Sequence, residues 1–282
     1  MKNKVVIFGA GGTGRRIMNM IRNSCEILFM VDNDESKWDS MVDIPGGGIL
    51  IKSPESLIDC DVDEIVLGTL MGLDEVQEQL KELKLHHIPL NKEYVTISVM
   101  SRRLFLKRLA ETYKKKNLQG AVAEAGVFRG EFAKIINETF PDSTCYLFDT
   151  FEGFAEEDYA YETEESMIDA EHLRMTSEEL VYNKMPYKDK VIIKKGYFPA
   201  TAEGITDNFI FVNLDMDLYH PILEGLRFFF PLMKEGGVIL IHDYFTEVFP
   251  NVEKAVDDYE REAGIKLNKL PIGDDISLAI IK

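Results

Sequence analysis

One local pattern occurs twice in this chain: an apolar strand segment runs directly into a turn that contains glycines. The two copies occupy residues 4–14 and 120–130. A strand, a glycine turn and a helix in this order form the first part of a parallel α/β unit. The repetition therefore predicts an α/β protein with two Rossmann-like, doubly wound domains.

The chain has 282 residues, which is enough for two modest domains. We expect one domain at 1–98, a basic connecting helix at 99–117 and a second domain at 118–282. Cationic and apolar residues alternate at helical spacing in the connecting segment, which indicates a solvated basic face; a phosphate-binding or dimer-bridging role is the alternative. The cationic residues are Arg102, Arg103, Lys107, Arg108, Lys114, Lys115 and Lys116.

The segment 155–187 has no clear strand periodicity, and its first part is rich in Asp and Glu. Long insertions in compact domains often cover a functional site. We therefore predict a lid over the second domain, with a solvated acidic loop as the alternative.

The composition limits the environment and the partners. A formal net charge of -17 opposes binding to nucleic-acid backbones and anionic lipid. No apolar run is long enough to span a membrane, and the N-terminus lacks the pattern of a secretion signal. The three cysteines, Cys25, Cys60 and Cys145, are scattered as in proteins of reducing compartments. We expect a cytoplasmic protein that binds neither nucleic acid nor membranes.

In the first copy of the pattern, Gly9, Gly11 and Gly14 form a GxGxxG turn between a strand and a helix, and Asp32 ends the next strand. Such glycines let a pyrophosphate approach the helix N-terminus, and the acid can accept hydrogen bonds from ribose hydroxyls. These four residues therefore predict a nucleotide-binding site.

Residues 31–38 and 51–54 resemble nucleoside-diphosphate-sugar-binding Rossmann domains that accompany glycan-modifying enzymes. The expected ligand is a nucleotide or nucleotide sugar, and NAD(P) is another ligand that the motif accepts. The chain has no YxxxK pair, which argues against hydride transfer. A domain with an empty pocket that serves assembly is the alternative.

In the second domain, two apolar segments typical of buried strands end at short polar clusters and are separated by a predicted helix at 220–234. The first cluster contains Asp215 and Asp217, and the second contains His242 and Asp243. A strand–helix–strand crossover makes the two strands parallel and places both carboxyl ends at one edge of the sheet. We predict that three carboxylates and an imidazole form the chemical centre there.

The second glycine turn, at 124–130, is followed by a strand that ends at Asp149. This is what an adenosine ligand requires, because the turn gives access beside the strand and the carboxylate can bind the ribose diol. The pattern alone does not separate S-adenosylmethionine from a dinucleotide.

Four segments together resemble the macrocin O-methyltransferase family, and they occur in the family's order. They are residues 124–130, 148–154, 195–201 and 214–219, and the resemblance extends over about 100–282. It implies a class I methyltransferase fold, S-adenosylmethionine as cofactor, a divalent metal that is usually magnesium, and methylation of a sugar hydroxyl in natural products or glycans.

The resemblance also implies residue roles. The cofactor-binding residues would be Glu124, Gly126, Phe128, Arg129, Asp149, Phe151, Gly196 and Tyr197, with Asp149 on the ribose and Tyr197 near the adenine. Asp215 and Asp243 would bind the metal, and Asp217 would be the general base. A sugar hydroxyl is a poor nucleophile at neutral pH. A metal would lower the pKa of this hydroxyl, and a carboxylate would take its proton.

His242 stands where family members usually have the first aspartate of a pair. An imidazole is a softer ligand than a carboxylate, which favours manganese, iron or zinc over magnesium, with Asp215, His242 and Asp243 as ligands. Magnesium bound through the two aspartates and waters, His242 as the general base without a metal, and a structural histidine are the alternatives. One of Asp215 and Asp217 could instead cap the following helix.

The sequence thus predicts an S-adenosylmethionine- and metal-dependent O-methyltransferase that acts on a small-molecule sugar or nucleotide sugar and self-associates. One alternative is an NAD(P)-dependent nucleotide-sugar oxidoreductase or epimerase that uses the first glycine motif. Another is a non-catalytic assembly protein that retained the fold.

Overall fold

The computed structural model describes residues 2–44, 47–69, 73–162, 171–246 and 248–282. It divides into two compact units, Met1–Met100 and Ser101–Lys282. Both are α/β, as expected. No helix in the described part of the chain combines the length and the hydropathy needed to cross a bilayer.

The first unit contains a six-stranded sheet in the order β3-β4-β2-β1-β5-β6. All neighbouring strands are parallel except the β3–β4 pair. The elements are β1 (Asn3–Phe8), α1 (Gly12–Ile21), β2 (Cys25–Val31), β3 (Met41–Ile44), β4 (Gly47–Lys52), β5 (Glu64–Leu67), α2 (Leu73–Glu82) and β6 (Leu90–Asn91).

Three glycines let α1 lie close to the ends of β1 and β5. A Cβ atom at Gly14 would lie 1.8 Å from the Gly9 carbonyl oxygen, and one at Gly68 would lie 2.6 Å from the same atom. Both distances are far below van der Waals contact, so only glycine fits at these positions. The turn and the helix start are thereby fixed against the sheet.

The second unit contains a seven-stranded sheet in the order β12-β13-β11-β10-β7-β8-β9. Strands β11, β10, β7, β8 and β9 are parallel, and β13 is antiparallel to both of its neighbours. The elements from residue 93 onward are α3 (Glu93–Lys116), β7 (Ala121–Ala125), α4 (Glu131–Thr139), β8 (Cys145–Asp149), α5 (Glu178–Lys184), β9 (Val191–Lys195), β10 (Phe209–Leu214), α6 (Tyr219–Leu232), β11 (Met233–Ile241), α7 (Asn251–Ala263), β12 (Asn268–Pro271) and β13 (Leu278–Ile281).

The chain order reverses between β7 and β10, which are neighbours in this sheet. From β7 the sheet grows through β8 to β9, and from β10 it grows through β11 in the opposite direction. Loops diverge at such a switch point and leave a crevice at the carboxyl ends of the strands. Aromatic packing makes the sheet rigid below this crevice: the Phe229 ring of α6 meets Phe209 at 5.1 Å and Phe148 at 5.8 Å, edge to face.

Helix α3 starts at Glu93, six residues before the expected connecting helix, and it crosses the division between the two units. The prediction of a uniformly solvated basic face is wrong for Arg102, whose side chain is only 14% exposed. Arg102 precedes buried Leu106 by one helical turn and buried Tyr113 by three, so it lies on the apolar face. Arg103, the next residue, is exposed.

The predicted lid is described in part. Residues 156–161 form a 3-10 turn, and α5 begins after Ser177, whose hydroxyl accepts a 3.1 Å hydrogen bond from the Leu180 N–H. Residues 163–170 of the predicted lid lie outside the described residues. The first part of this segment is not simply a solvated acidic loop, because Asp158 is 5% exposed.

Candidate active site

The crevice at the switch point of the second sheet contains a cavity of about 300 Å³. Residues that follow β7, β8, β9 and β10 line it. Its size and its position at the carboxyl ends of parallel strands are typical of a small-molecule site.

The glycine turn after β7 lines this cavity. Gly126 has a φ of +85°, and a Cβ atom there would lie 1.8 Å from the carbonyl oxygen of Asp215. The Asp215 N–H donates to the Ala125 carbonyl at 2.8 Å, so the ends of β7 and β10 are tied together. Gly126 is required both by its conformation and by this close approach.

Asp149, at the end of β8, accepts three backbone hydrogen bonds. Its Oδ2 accepts from the N–H groups of Val127 and Phe128 at 2.8 and 2.7 Å, and its Oδ1 accepts from the Phe151 N–H at 2.7 Å. Phe128 and Phe151 both have positive φ, which these bonds hold in place. A carboxylate offers about four acceptor positions, so about one is left for a ribose hydroxyl.

Glu124, in β7 two residues before Gly126, is 2% exposed. Its Oε1 accepts a 2.8 Å hydrogen bond from the Asn213 side chain, whereas its buried Oε2 has no partner among the described residues. Burial, and then the charge of Asp215, raise the pKa of Glu124. A cationic group of a ligand would satisfy this oxygen.

At the other side of the cavity, after β9, Gly196 has a φ of +127° and donates its N–H to the Asp149 carbonyl at 2.9 Å. The hydroxyl of Tyr197 donates to Asp158 Oδ1 at 2.7 Å and lies 3.0 Å from His220 Nδ1. His220 Nδ1 is also 3.0 Å from Asp158 Oδ1. The three side chains thus form one network at the cavity wall.

His242 lies between two aspartates, as predicted from the strand ends. Its Nδ1 is 2.8 Å from Asp215 Oδ1 and 2.7 Å from Asp243 Oδ2. Burial lowers the pKa of His242, but the charges of Asp215 and Asp243 outweigh burial and raise it to about 10. The imidazole is therefore protonated at neutral pH, and a protonated imidazole is a poor proton acceptor.

Asp217 has a φ of +63°, in the left-handed region. Burial raises the pKa of Asp217, and the neighbouring charges of Asp243 and Asp215 raise it further. A carboxylate with a raised pKa is a stronger proton acceptor than an ordinary one. Asp217 is therefore better suited than His242 to act as a base.

The cluster offers donors that fit a divalent metal. One ligand atom from each of Asp215, His242 and Asp243 lies within 4.8 Å of the others. Nδ1 must lose its proton before it can bind a metal, so protons and the metal compete for this nitrogen. His242 Nε2 is buried and has no hydrogen-bond partner among the described residues.

The remaining predicted residues of this unit are more dispersed. Phe128 and the exposed Arg129 line the cavity, and the Arg129 carbonyl accepts a 2.7 Å hydrogen bond from Lys184 Nζ. The Phe151 ring packs into the hydrophobic core. Phe151 therefore contributes to the site through its backbone N–H, which donates to Asp149, and not through its side chain. His242 and Asp243 do not line the 300 Å³ cavity, whereas Asp215 and Asp217 do.

Sequence reasoning missed two residues that line this cavity, Arg102 and Asp158, and also His220, which contacts Asp158. The signal for Arg102 was its helical spacing to Leu106, which places it on the apolar face. Asp158 and His220 are 62 residues apart and gave no local signal. Asp274 is 1% exposed, and its carboxylate lies 3.9 Å from Arg102 Nε.

In the first unit, Gly9, Gly11 and Asp32 line a cavity of about 340 Å³. A Cβ atom at Gly11 would meet no atom within 4 Å, so packing does not explain this glycine. Asp32 Oδ2 accepts a 2.7 Å hydrogen bond from the Ala10 N–H, and its Oδ1 lies 3.3 Å from Lys37 Nζ. Gly14 is buried and serves packing.

Two family models match the chain. Residues 90–275 match the macrocin-O-methyltransferase model, and residues 1–88 match that of the C2185-like N-terminal domain. The chain belongs to the macrocin-O-methyltransferase family. The prediction of an S-adenosylmethionine-dependent O-methyltransferase is therefore confirmed for this family member, and the oxidoreductase and assembly-protein alternatives are not supported.

Three similar proteins share 15 to 24% of their residues with this family member. Demethyldecarbamoylnovobiocin O-methyltransferase from Streptomyces niveus is 24% identical over 183 residues, which are 60% of this chain and 69% of that protein. The structure of the O-methyltransferase NovP is similar with a TM-score of 0.54 at 22% identity, over 64% of this chain and 79% of that one. The calicheamicin methyltransferase CalS11 gives 0.51 at 15% identity, over 76% and 86%. These similarities confirm the class I methyltransferase fold.

Proposed function

We propose that this protein transfers the methyl group of S-adenosylmethionine to a hydroxyl of a sugar in natural-product or glycan biosynthesis. The observation that carries the proposal is the convergence of Asp215, Asp217, His242 and Asp243 beside the glycine turn. The names of two relatives, which refer to demethyldecarbamoylnovobiocin and to calicheamicin, support a small-molecule acceptor.

Asp217 is the base in this proposal. A sugar hydroxyl loses its proton as its oxygen attacks the methyl carbon, and the sulfur leaves in line as the thioether of S-adenosylhomocysteine. In the metal-free protein, the charge of protonated His242 favours the ionised form of Asp217 and opposes the effect of the two aspartates on its pKa; a bound metal would supply the positive charge instead. Asp217 thus combines a raised pKa with a nearby cation that allows it to ionise.

We further propose that Asp215, His242 and Asp243 hold a divalent metal. When bound, the metal would lower the pKa of the acceptor hydroxyl and neutralise the charge of the aspartates. One nitrogen and two carboxylate ligands favour manganese, iron or zinc over magnesium. The deep position of His242, at 15% side-chain exposure, keeps the imidazole aligned with both carboxylates.

The test uses metal-stripped, full-length protein with S-adenosylmethionine and a panel of nucleotide sugars and glycosides. We expect a product heavier by one methylene, and more of it when manganese or zinc is restored. Asp217→Asn should lower turnover by about 10² or more and still bind S-adenosylmethionine. Exposed Asp189→Asn is the control. Methylation of phenols or amines but of no sugar would contradict the acceptor class, and full activity after metal removal would contradict the metal.

For the first unit we propose a nucleotide site, with the diphosphate of a nucleotide sugar beside Gly11. The open space at Gly11 supports this proposal. Gly11 is also the N-cap residue of α1, and because it has no side chain it does not cap the first N–H groups of the helix. The first N–H groups of such a helix attract a phosphate. Titration of UDP, dTDP, a nucleotide sugar and NAD⁺ into the full-length protein tests it. If none of the four ligands bound, the proposal of a nucleotide site in the first unit would be contradicted.

A further inference from the structure

Arg102 contributes a buried cation to the cavity of the second unit. It lies in α3, its side chain is 14% exposed, and it lines the 300 Å³ cavity. Its guanidinium lies 4.9 Å above the ring of Phe132, in the first turn of α4. A flat guanidinium held over an aromatic face has its N–H edges directed sideways, where they can meet a ligand.

Two nitrogens of this cation lack hydrogen-bond acceptors in the part of the chain that the structure describes, although two carboxylates lie within ion-pair distance. Its Nε and Nη1 atoms are buried and have no hydrogen-bond partner there. Nη1 is 3.7 Å from Asp215 Oδ2 and Nε is 3.9 Å from Asp274 Oδ2, and both distances exceed those of hydrogen bonds. Asp274 already accepts hydrogen bonds from the Ile276 and Ser277 N–H groups and from the Ser277 hydroxyl. Burial of unsatisfied guanidinium donors is unfavourable, so an anionic ligand group is the expected partner.

The strand order indicates which ligand group reaches Arg102. Across the sheet edge in the order β9, β8, β7 and β10 stand Tyr197, Asp149, Gly126 and Asp215. With the adenine beside Tyr197 and the ribose on Asp149, the amino-acid end of the cofactor lies at Gly126 and Asp215. This placement rests on the proposed cofactor orientation. Arg102 is the cation at that end.

We propose that Arg102 binds the α-carboxylate of S-adenosylmethionine, with Glu124 facing its α-ammonium group. The cofactor carries these two opposite charges on one carbon. Among the described residues, the cavity provides two guanidinium nitrogens without a hydrogen-bond acceptor and a buried carboxyl oxygen, Glu124 Oε2, without a donor. A guanidinium can bind a carboxylate through two parallel hydrogen bonds, which distinguishes it from an isolated point charge. The pair thereby selects adenosyl ligands that have an intact amino-acid end.

The first experiment compares ligands on the unaltered protein by calorimetry. S-adenosylmethionine and its decarboxylated form differ in the carboxylate, and 5′-methylthioadenosine lacks the whole amino-acid end. We expect decarboxylation to weaken binding by about 10- to 100-fold, the value of a charge-assisted contact. Equal affinity for both sulfonium ligands would overturn the proposal, whatever any variant shows. No binding of S-adenosylmethionine at all would instead contradict the proposed function.

The second experiment replaces the cation. Arg102→Gln should lose about 10- to 100-fold in affinity for S-adenosylmethionine and for S-adenosylhomocysteine, and less than about twofold for the decarboxylated ligand and for methylthioadenosine. Arg102→Lys, which keeps the charge without the planar fork, should fall between the two. Arg103→Gln, at the exposed neighbouring position, should match the unaltered protein.

Two results would overturn the assignment. An equal loss of affinity for all four ligands in both Arg102 variants would show a structural role. Unchanged S-adenosylmethionine affinity with a raised KM for the acceptor would show that Arg102 binds an anionic group of the acceptor instead.

Discussion

The Tyr197 hydroxyl donates a 2.7 Å hydrogen bond to Asp158, which is 5% exposed and belongs to a different segment of the cavity wall. Burial, and then this hydrogen bond, raise the pKa of Tyr197, so its hydroxyl keeps its proton. The bond joins the loop after β9 to the 3-10 turn at 156–161. His220 also contacts this turn, because its ring stacks on that of Tyr161 with the ring centroids 4.7 Å apart.

The first prediction removes this bond. Tyr197→Phe removes one of the two groups that contact Asp158 Oδ1 and leaves His220 Nδ1 at 3.0 Å, so we expect a loss of about 1 kcal/mol in the free energy of unfolding. The turn at 156–161 should open more often, and hydrogen exchange of its amides should accelerate. Tyr182→Phe, at a 41% exposed tyrosine, is the control and should change neither quantity. Unchanged exchange at 156–161 in Tyr197→Phe would show that this network does not hold the segment.

The second prediction concerns the three backbone bonds to Asp149. Asparagine has one acceptor oxygen, and its NH₂ group would oppose backbone donors, so Asp149→Asn should lower the free energy of unfolding by about 2 kcal/mol. Affinity for S-adenosylmethionine should fall about tenfold or more, because the glycine turn loses its anchor. Glu152→Gln, at a side chain that is 79% exposed, is the control. Calorimetry and denaturant unfolding measure both effects, and normal stability with lost binding would assign Asp149 to the ligand alone.

The third prediction introduces the aspartate pair that the family resemblance led us to expect. His242→Asp exchanges a cation between two carboxylates for a third carboxylate, so the metal-free variant should unfold at lower denaturant concentration than the metal-free unaltered protein. Added magnesium should stabilise the variant more, and the preference for manganese over magnesium should fall about tenfold. His86→Asp, at an exposed position, is the control. An unchanged metal preference would remove His242 from the ligand set.

The sequence predicted those parts of the site that depend on where strands end. Asp149 and Asp215 lie next to the glycine turn because parallel strands bring their carboxyl ends to one edge. Arg102 was misjudged because cationic residues usually face solvent, and the spacing to Leu106 was outweighed by the surrounding lysines. The orientation of the His242 ring could not be predicted, because it depends on the balance between two carboxylates that only the folded strands bring together.

The last prediction separates packing from binding in the first unit. Gly14→Ala places a methyl group 1.8 Å from a carbonyl oxygen, so it should destabilise this unit by about 1–3 kcal/mol or more. Gly11→Ala meets no atom within 4 Å, so its stability should change by less than about 1 kcal/mol, while nucleotide affinity falls because the methyl group occupies the space beside the helix N-terminus. Thermal unfolding and calorimetry distinguish the two effects. S-adenosylmethionine binding, assigned to the other unit, is the internal control and should stay unchanged in Gly11→Ala. If Gly11→Ala bound nucleotides as tightly as the unaltered protein, the open space at Gly11 would have no role in binding.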